Sequence, residues 1–415
     1  MLDQVCGDPL WAERLGGNPL APHLASFAAS LGDGGYRQAT VHSKLRLLFE
    51  LGRWLGRNDV PVAALEEGLV EVFLGERRRE DRSVRSQATT ARQFLDHLRK
   101  HDVIAAPPPP VVAGSALISL LGQYEKYLRA ERGLTSATVV NYLPLVRRFV
   151  MERFGEGPLP LRELTPVDSS RFIQSHAPSM SAGRAKLLVT ALRSFFRFLL
   201  EHGQIELDLA ASVPTVANWR LSTVPRYLGA EEVERLLGCC DRTTATGRRN
   251  YAVLLLLARL GLRAGEVVAL ELEDIDWRAG EILVRGKGLF HERLPLVIEV
   301  GEALAAYLQA DRPPGPTRRV FMCRKAPWRG FAGASTVSTI VRRALANADL
   351  HPPNQGAHLL RHSLATGMLN RGASLAEIGE LLRHRAASST EIYAKVDLRA
   401  LRLLAQPWPG DGGER

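Results

Sequence analysis

The sequence predicts a mainly α-helical protein with one small antiparallel β-sheet, confined to a C-terminal block of α+β character. Three observations carry this. Apolar residues recur at three- and four-residue spacing over most of residues 20–210, the period of helices that bury one face. Two proline-bearing stretches without that period cut the chain into blocks at 1–104, 115–210 and 225–405. Only in the third block does the pattern alternate, through Glu281, Ile282, Leu283 and Val284, before a GKG turn and a return through Arg293 to Leu296. A two-residue period closed by a glycine turn reads as a strand pair.

The first break, AAPPPPVVAG from Ala105 to Gly114, holds four consecutive prolines and favours an extended polyproline spacer. The second, from Ala211 to Leu228, carries Pro214 and Pro225. The two blocks they bound look alike. GYRQATV at Gly35 matches GLTSATV at Gly133; Thr40 aligns with Thr138, Phe73 with Phe172 and Phe94 with Phe195, in order. Each block reads as four or five amphipathic helices, with Leu45, Leu48 and Leu51 on one buried face in the first and Leu188, Leu192, Phe195 and Leu199 in the second. We expect a duplicated helical domain.

The third block opens on the helix of YLGAEEVERLLGCC, with Gly229 as its cap. The longest apolar run, AVLLLLA from Ala252 to Ala258, ends at Arg259. It is too short to span a bilayer and reads as a buried core helix. It stops near GLRAGEV; the strand pair follows, and helices resume from Thr336 to LRALRLLAQP, where Leu398, Leu401 and Leu404 form an apolar stripe.

Composition narrows the class. The chain has 415 residues, 46% hydrophobic and 24% charged, enough for more than one core. Its formal charge of +10 favours a polyanionic partner. None of Cys6, Cys239, Cys240 and Cys323 forms a C-x-x-C pair, and no basic-then-apolar leader opens the chain. The expectation is a reduced, cytoplasmic protein with no membrane partner.

Chemistry-bearing residues gather in the third block: Arg263 in GLRAGE, Lys287 in RGKG, His358 and Arg361 in HLLRH, His384 in LLRHR, and Tyr393 in EIYAKVD. They lie on separate elements, so a fold can bring them together. No obvious carboxylate cluster accompanies them, and the expectation is no metal and no cofactor. His358 and His362 are four apart, but Leu359 stands where a zinc protease would need glutamate. Two guanidiniums, a lysine, imidazoles and a phenol suit metal-free phosphoryl transfer: arginines grip a phosphate bidentately and the phenol attacks. Taken singly, Arg263 would suit a helix end, Lys287 a solvated turn and Tyr393 a core. In this order, they form a set. His358 and Arg361 lie one helical turn apart, at a helix start whose free N–H groups favour an anion.

The set resembles the catalytic domain of the tyrosine recombinases, the phage integrase family, over about residues 225–405; the second block more loosely resembles that family's SAM-like core-binding domain. The resemblance implies that Arg263 and Arg361 bind the scissile phosphate and that His358 assists proton transfer. Lys287 would protonate the 5′-hydroxyl leaving group, and His384 would donate to a non-bridging oxygen. Tyr393 would attack to give a 3′-phosphotyrosyl link. Glu266 and His362 fit supporting positions. The family usually has glycine before the third histidine; here Arg383 takes that place. Glycine favours a left-handed helix end, which arginine resists, so the turn is expected to differ.

Double-stranded DNA is the implied partner. Arg184, Lys186 and Arg193 in the second block, and Arg342 and Arg343 in the third, are candidates to contact it. Arg318, Arg319, Arg324, Lys325 and Arg329 add positive charge nearby. The resemblance also implies a homo-oligomer, a tetramer on DNA, with accessory recombinases or a directionality factor as further partners. The implied activity is integration, excision or transposition of a mobile element. The alternatives within the same chemistry are a catalytically weak DNA-binding relative and a type IB topoisomerase.

Overall fold

The computed structural model describes residues 17–77, 84–105, 116–217, 224–286, 291–315, 317–384, 386–397 and 401–402. The chain divides into two compact units, Met1–Ala106 with Thr223–Arg415, and Pro107–Ser222. The proline run from Pro107 to Pro110 lies outside the described residues, as do Lys287, Leu398 and Leu404.

Among the described residues the first block holds four helices: α1 (Ala21–Asp33), α2 (Gln38–Arg57), α3 (Glu67–Arg77) and α4 (Val84–Lys100). A proline in the first turn of α1 suits a position whose N–H has no helical partner. The apolar faces close on Phe27, Leu45, Leu48, Leu51, Phe73 and Phe94. Asn18 is a buried polar anchor: its Oδ1 accepts from the Leu20 N–H and its Nδ2 donates to the Phe49 carbonyl, both at 3.0 Å. Only glycine fits beside it at position 52, where a Cβ would lie 2.0 Å from Asn18 Oδ1.

The second unit holds α5 (Ala116–Lys126), α6 (Ser136–Phe154), α7 (Pro166–His176), α8 (Ala182–Glu201) and the short α9 (Leu209–Ser212). Its core is aromatic; Tyr124 meets Phe195 edge to face at 5.3 Å and Phe149 meets Phe172 at 5.3 Å. Two caps fix helix starts. Asp168 accepts from the Thr165 N–H at 2.9 Å to begin α7, and Ser181 accepts from the Arg184 N–H at 3.4 Å to begin α8. The aligned pairs fall on matching elements: Thr40 and Thr138 in the first turns of α2 and α6, Phe73 and Phe172 in α3 and α7, Phe94 and Phe195 in α4 and α8. A short 3₁₀ turn precedes the third helix in each block, at Val62–Ala64 and Leu161–Glu163.

The third block is built around α11 (Ala245–Arg259), which follows α10 (Ala230–Gly238). From Ala252 to Leu257 every side chain of α11 is wholly buried, as expected of a helix that is apolar all round. Then come α12 (Ala264–Ala269), β1 (Ile275–Asp276), β2 (Glu281–Arg285) and β3 (His291–Pro295). The sheet is antiparallel in the order β1-β2-β3, with Ile282 opposite Leu294. Ile282 and Val284 turn inward. Helices α13 (Ile298–Ala310), α14 (Ala334–Asn347), α15 (His358–Asn370) and α16 (Leu375–Leu381) complete it, and a 3₁₀ turn over Glu391–Val396 carries Tyr393. Leu369, Ile378, Leu382 and Tyr393 form a separate small core, against which Leu364 and Met368 pack. Cys239, Cys240 and Cys323 are free thiols. Among the described residues no helix is long and apolar enough to cross a membrane.

The first and third blocks keep their own cores and meet at Trp328. Its backbone N–H donates to the Gly34 carbonyl at 2.9 Å. Its indole covers Gly35, where φ is +78° and a Cβ would lie 2.1 Å from the ring.

Phe195, wholly buried in the second unit's aromatic core, gives the stability prediction. Phe195→Ala is expected to cost about 3–5 kcal/mol, read as a lower denaturant midpoint by circular dichroism.

Candidate active site

The site forms around one turn. After α11 the backbone reverses at Gly261, whose φ is +59°. A side chain there would press on Leu382 at 2.8 Å. The Gly261 carbonyl points at arginines: Arg361, from α15, donates Nη1 to it and Nη2 to the Leu382 carbonyl. Arg361 is 3% exposed. Burial, then the nearby Arg263 and Arg383 charges, lower its pKa to about 10. Two carbonyls thus hold the guanidinium from α11's exit and α16's end, and bring α15 to both.

Arg263 stands at the start of α12. Its backbone N–H donates to Glu266 Oε2 at 2.8 Å and its Nη1 to Oε1 at 2.7 Å. Glu266 is buried. Burial works against its charge, but the Arg263 N–H and the charges of Arg383 and Arg263 hold its pKa below the usual carboxylate value. Arg263 itself keeps 38% of its side chain exposed, so it presents charge to solvent from an anchored base.

Helix α16 supplies the next group. The His384 N–H donates to the Gly379 carbonyl and the Arg383 N–H to the Glu380 carbonyl, both at 2.9 Å. This is the paired bonding of a Schellman end, and it requires a left-handed residue at 383. Arg383 adopts it, with φ of 54°. The expected change of turn does not occur: the arginine takes the glycine conformation, and side-chain bonds hold it there. His384 is thereby fixed; its Nδ1 lies 2.8 Å from Thr390 Oγ1. Partial burial, then Arg361 and Arg263, lower its pKa to about 4.

Tyr393 is buried, 1% exposed. Its hydroxyl lies 2.9 Å from His362 Nδ1. Burial raises the phenol to about 12 against the pull of Arg361. Burial, then His358 and Arg361, lower His362 to about 4. The phenol and the imidazole are therefore both neutral at this contact. His358 lies at the exposed start of α15, with ring centroid 6.5 Å from that of His362. Its packed surroundings and the charges of Arg361 and Arg263 hold its pKa below the ordinary histidine value.

Arg263, Glu266, His358, Arg361, His362, His384 and Tyr393 thus share one neighbourhood. Lys287 lies outside the described residues, but the hairpin that carries it is anchored below: Arg285 donates to Glu271 at 2.8 Å and to Asp274 at 2.7 Å. Among the described residues no three His, Cys, Asp or Glu side chains gather as a metal-holding group. Of the proposed DNA contacts, Arg184, Lys186, Arg342 and Arg343 are exposed. Arg193 is instead engaged within its own unit, donating to the Val213 carbonyl at 2.8 Å and the Thr215 hydroxyl at 2.9 Å. Arg318 pairs with Glu273, and Arg319 with the Ala269 carbonyl and Glu271. Arg324, Lys325 and Arg329 are exposed. Sequence reasoning missed the inward role of Arg383 and the tie from Thr390 to His384. Its one signal was an arginine at a glycine position.

Comparison with known proteins places this geometry. Residues 226–399 match the phage integrase family, and residues 121–203 match the N-terminal SAM-like domain of phage integrases. The protein y4rA of Sinorhizobium fredii, named for an integrase or recombinase, is 44% identical over 393 residues, covering 95% of each chain. Tyrosine recombinase XerC of Oceanobacillus iheyensis is 32% identical over 289 residues, 67% of this chain and 92% of its own. The fold is similar to that of a lambda integrase tetramer solved on a Holliday junction, with a TM-score of 0.51 and 20% identity, over 75% of this chain and 87% of that one. The chain belongs to the phage integrase family, the tyrosine recombinases, which break and rejoin DNA at specific sites.

Proposed function

We propose that Tyr393 is the nucleophile of this recombinase and that it serves the integration, excision or transposition of a mobile element. One observation carries the residue assignment: the phenol lies 2.9 Å from Nδ1 of a neutral imidazole, His362, inside a cluster of arginines. Tyr393 Oη attacks the scissile phosphorus while its proton passes to His362 Nδ1. The P–O5′ bond breaks, and the 5′ oxygen leaves with a proton from Lys287. The product is a 3′-phosphotyrosine and a free 5′-hydroxyl. Rejoining runs the same steps backwards, and the covalent link conserves the bond energy.

Arg263 and Arg361 stabilise the charge that grows on the non-bridging oxygens. Arg361 spends two N–H donors on carbonyls and keeps three. With Thr390 donating to Nδ1, His384 carries its proton on Nε2 and offers it to a phosphate oxygen. His358 assists proton transfer beside them. Because Tyr393 is buried, attack requires the Glu391–Val396 turn to shift when DNA arrives. The integrase reading is supported by the similarity to y4rA, named for an integrase or recombinase, across 95% of the chain.

The three blocks, 1–104, 115–210 and 225–405, act as an accessory domain, a core-binding domain and a catalytic domain. The accessory domain is a duplicate of the core-binding one, as the matched helices and 3₁₀ turns support. Exchange between two duplexes needs four strand cleavages, which supports a homotetramer on DNA, with accessory recombinases or a directionality factor as additional partners. The site of action is cytoplasmic.

A nicked suicide duplex from the ends of the DNA segment that carries the gene tests the nucleophile. Incubated in EDTA, the wild type is expected to give a protein–DNA band that survives SDS, and Tyr393→Phe none. A band in the variant would overturn the assignment.

The core-binding role predicts a salt effect. Replacing Arg184 and Lys186 by alanine is expected to weaken binding across sequences and to flatten the plot of log affinity against log salt by about 2. An unchanged slope would remove both from the interface.

The neutral histidines predict a pH effect. His362 and His384 sit at about 4 in the folded protein, below about 6.5 in an unfolded chain. Between those values the unfolded chain binds more protons, so stability falls as pH drops through that window and is complete above it. Melting temperatures of the wild type should fall more steeply from pH 6.5 to 4 than those of a His362→Gln, His384→Gln double variant. Parallel curves would mean that these histidines titrate normally.

A further inference from the structure

Arg383 departs from the residue its own backbone asks for. Among the described residues, the other non-glycine positions with positive φ are Asp59, Asp102 and Asp349, a residue type that tolerates the left-handed region. A long arginine there costs about 1–2 kcal/mol, and glycine would form the same turn without that cost. Retained strain of this kind calls for a compensating function.

The side chain shows what offsets it. It is 5% exposed, and its Nη donors are spent on the protein's own groups. Its Nη2 donates to Glu266 Oε2 at 2.9 Å and lies 3.5 Å from the Gly261 carbonyl, and its Nη1 donates to the Leu381 carbonyl at 3.1 Å. Its Nε lies 4.0 Å from Glu292 on β3. Its own carbonyl accepts from Arg263 Nη2 at 3.4 Å. One side chain therefore joins the starts of α12 and the Gly261 turn to the end of α16, and its backbone fixes His384.

From these contacts we infer that Arg383 is a positioning residue for the cleavage reaction, acting through Glu266 on the phosphate-binding Arg263. This rests on the tyrosine recombinase reading of the site. Glu266 is the buried carboxylate between the two guanidiniums. Oε1 accepts from Arg263 Nη1, while Oε2 accepts from the Arg263 N–H and from Arg383. With Arg383 present, the carboxylate charge is divided and its plane is fixed from both sides. Without it, the whole negative charge falls on Arg263, which then offers less net positive charge to a phosphate and a looser angle of approach. A fixed donor is what stabilises a transition state.

The test measures three quantities on Arg383→Gly, Arg383→Lys, Glu266→Gln and the Gly/Gln double variant: melting temperature, affinity for the suicide duplex, and the single-turnover rate of covalent complex formation at saturating protein. Arg383→Gly is expected to keep its melting temperature and affinity close to wild type. Its covalent step should slow by about 10- to 100-fold, the loss of one charge-assisted hydrogen bond. Lysine, which keeps the charge without the fork, should recover part of the rate. The double variant should be no slower than the slower single one, because both act through one carboxylate.

Wild-type rate in Arg383→Gly overturns the inference, as do losses at 383 and 266 that multiply. A rate that falls only in step with affinity or melting temperature reduces Arg383 to a structural cap. If Arg383→Gly does not fold, Arg383→Lys decides alone: a wild-type covalent rate there sinks the inference, and a slowed rate at unchanged affinity supports it. A wild type that makes no covalent complex overturns the recombinase reading and this inference together, and the wild-type lane tells that case apart.

Discussion

Positive charge gathered for a phosphate has to be held while no phosphate is there, and that constraint shapes the catalytic block. Arg263, Arg361 and Arg383 converge beside one buried carboxylate, Glu266, and the carbonyls of Gly261 and Leu382. One negative charge cannot neutralise three, and burial, with the neighbouring Arg263 and Arg383 charges, depresses the pKa of Arg361. The backbone covers the difference with carbonyl dipoles, which require Gly261 to turn left-handed and α16 to end at Leu382. Pairing alone would be a costly way to bury these groups. The arrangement makes sense as a site left electrostatically incomplete, which an anion would complete.

The same constraint explains how much was legible in the sequence. Residue identities along GLRAGE, HLLRH, LLRHR and EIYAKV gave the set and its order, because the chemistry needs those side chains. Periodicity gave the helices, because a buried face repeats at fixed spacing. The partners of Arg361 were not legible. They are backbone carbonyls 100 and 21 positions away, and every residue carries a carbonyl. The Tyr393–His362 bond spans 31 positions and follows from how the Glu391–Val396 turn packs on α15. Arg383 was visible only as an anomaly. Its conformation depends on Glu266, 117 positions earlier, so local propensity favoured the wrong outcome. Arg193 shows the opposite limit: a basic residue on an exposed-looking helix whose donors already serve Val213 and Thr215.

The first block follows a different logic from the site. Its four helices repeat the order of α5 to α8, yet its surface adapts to the third block through Gly34, Gly35 and Trp328. The similarity to XerC spans 67% of the chain and that to y4rA spans 95%, so the chain carries material beyond what it shares with XerC. A repeated helical unit would need few new rules to fold: the 3₁₀ turn and the aromatic anchors recur in both blocks, and Gly35, which Trp328 covers, matches Gly133.

Tyr393, the proposed nucleophile, rests protonated. With burial raising Tyr393 to about 12 and lowering His362 to about 4, moving the proton between them before attack is uphill. A free phenolate is therefore absent from the unbound protein, and a buried hydroxyl meets no stray electrophile. The cost falls only as the P–O bond forms, because the phenol oxygen then loses basicity while the neighbouring phosphate oxygens gain charge beside Arg263 and Arg361. Proton transfer is thus tied to bond formation, and the arginines that hold the phosphate also set when the tyrosine becomes reactive. On the proposed mechanism, cleavage without a correctly seated phosphate would be suppressed by the electrostatics of the site itself.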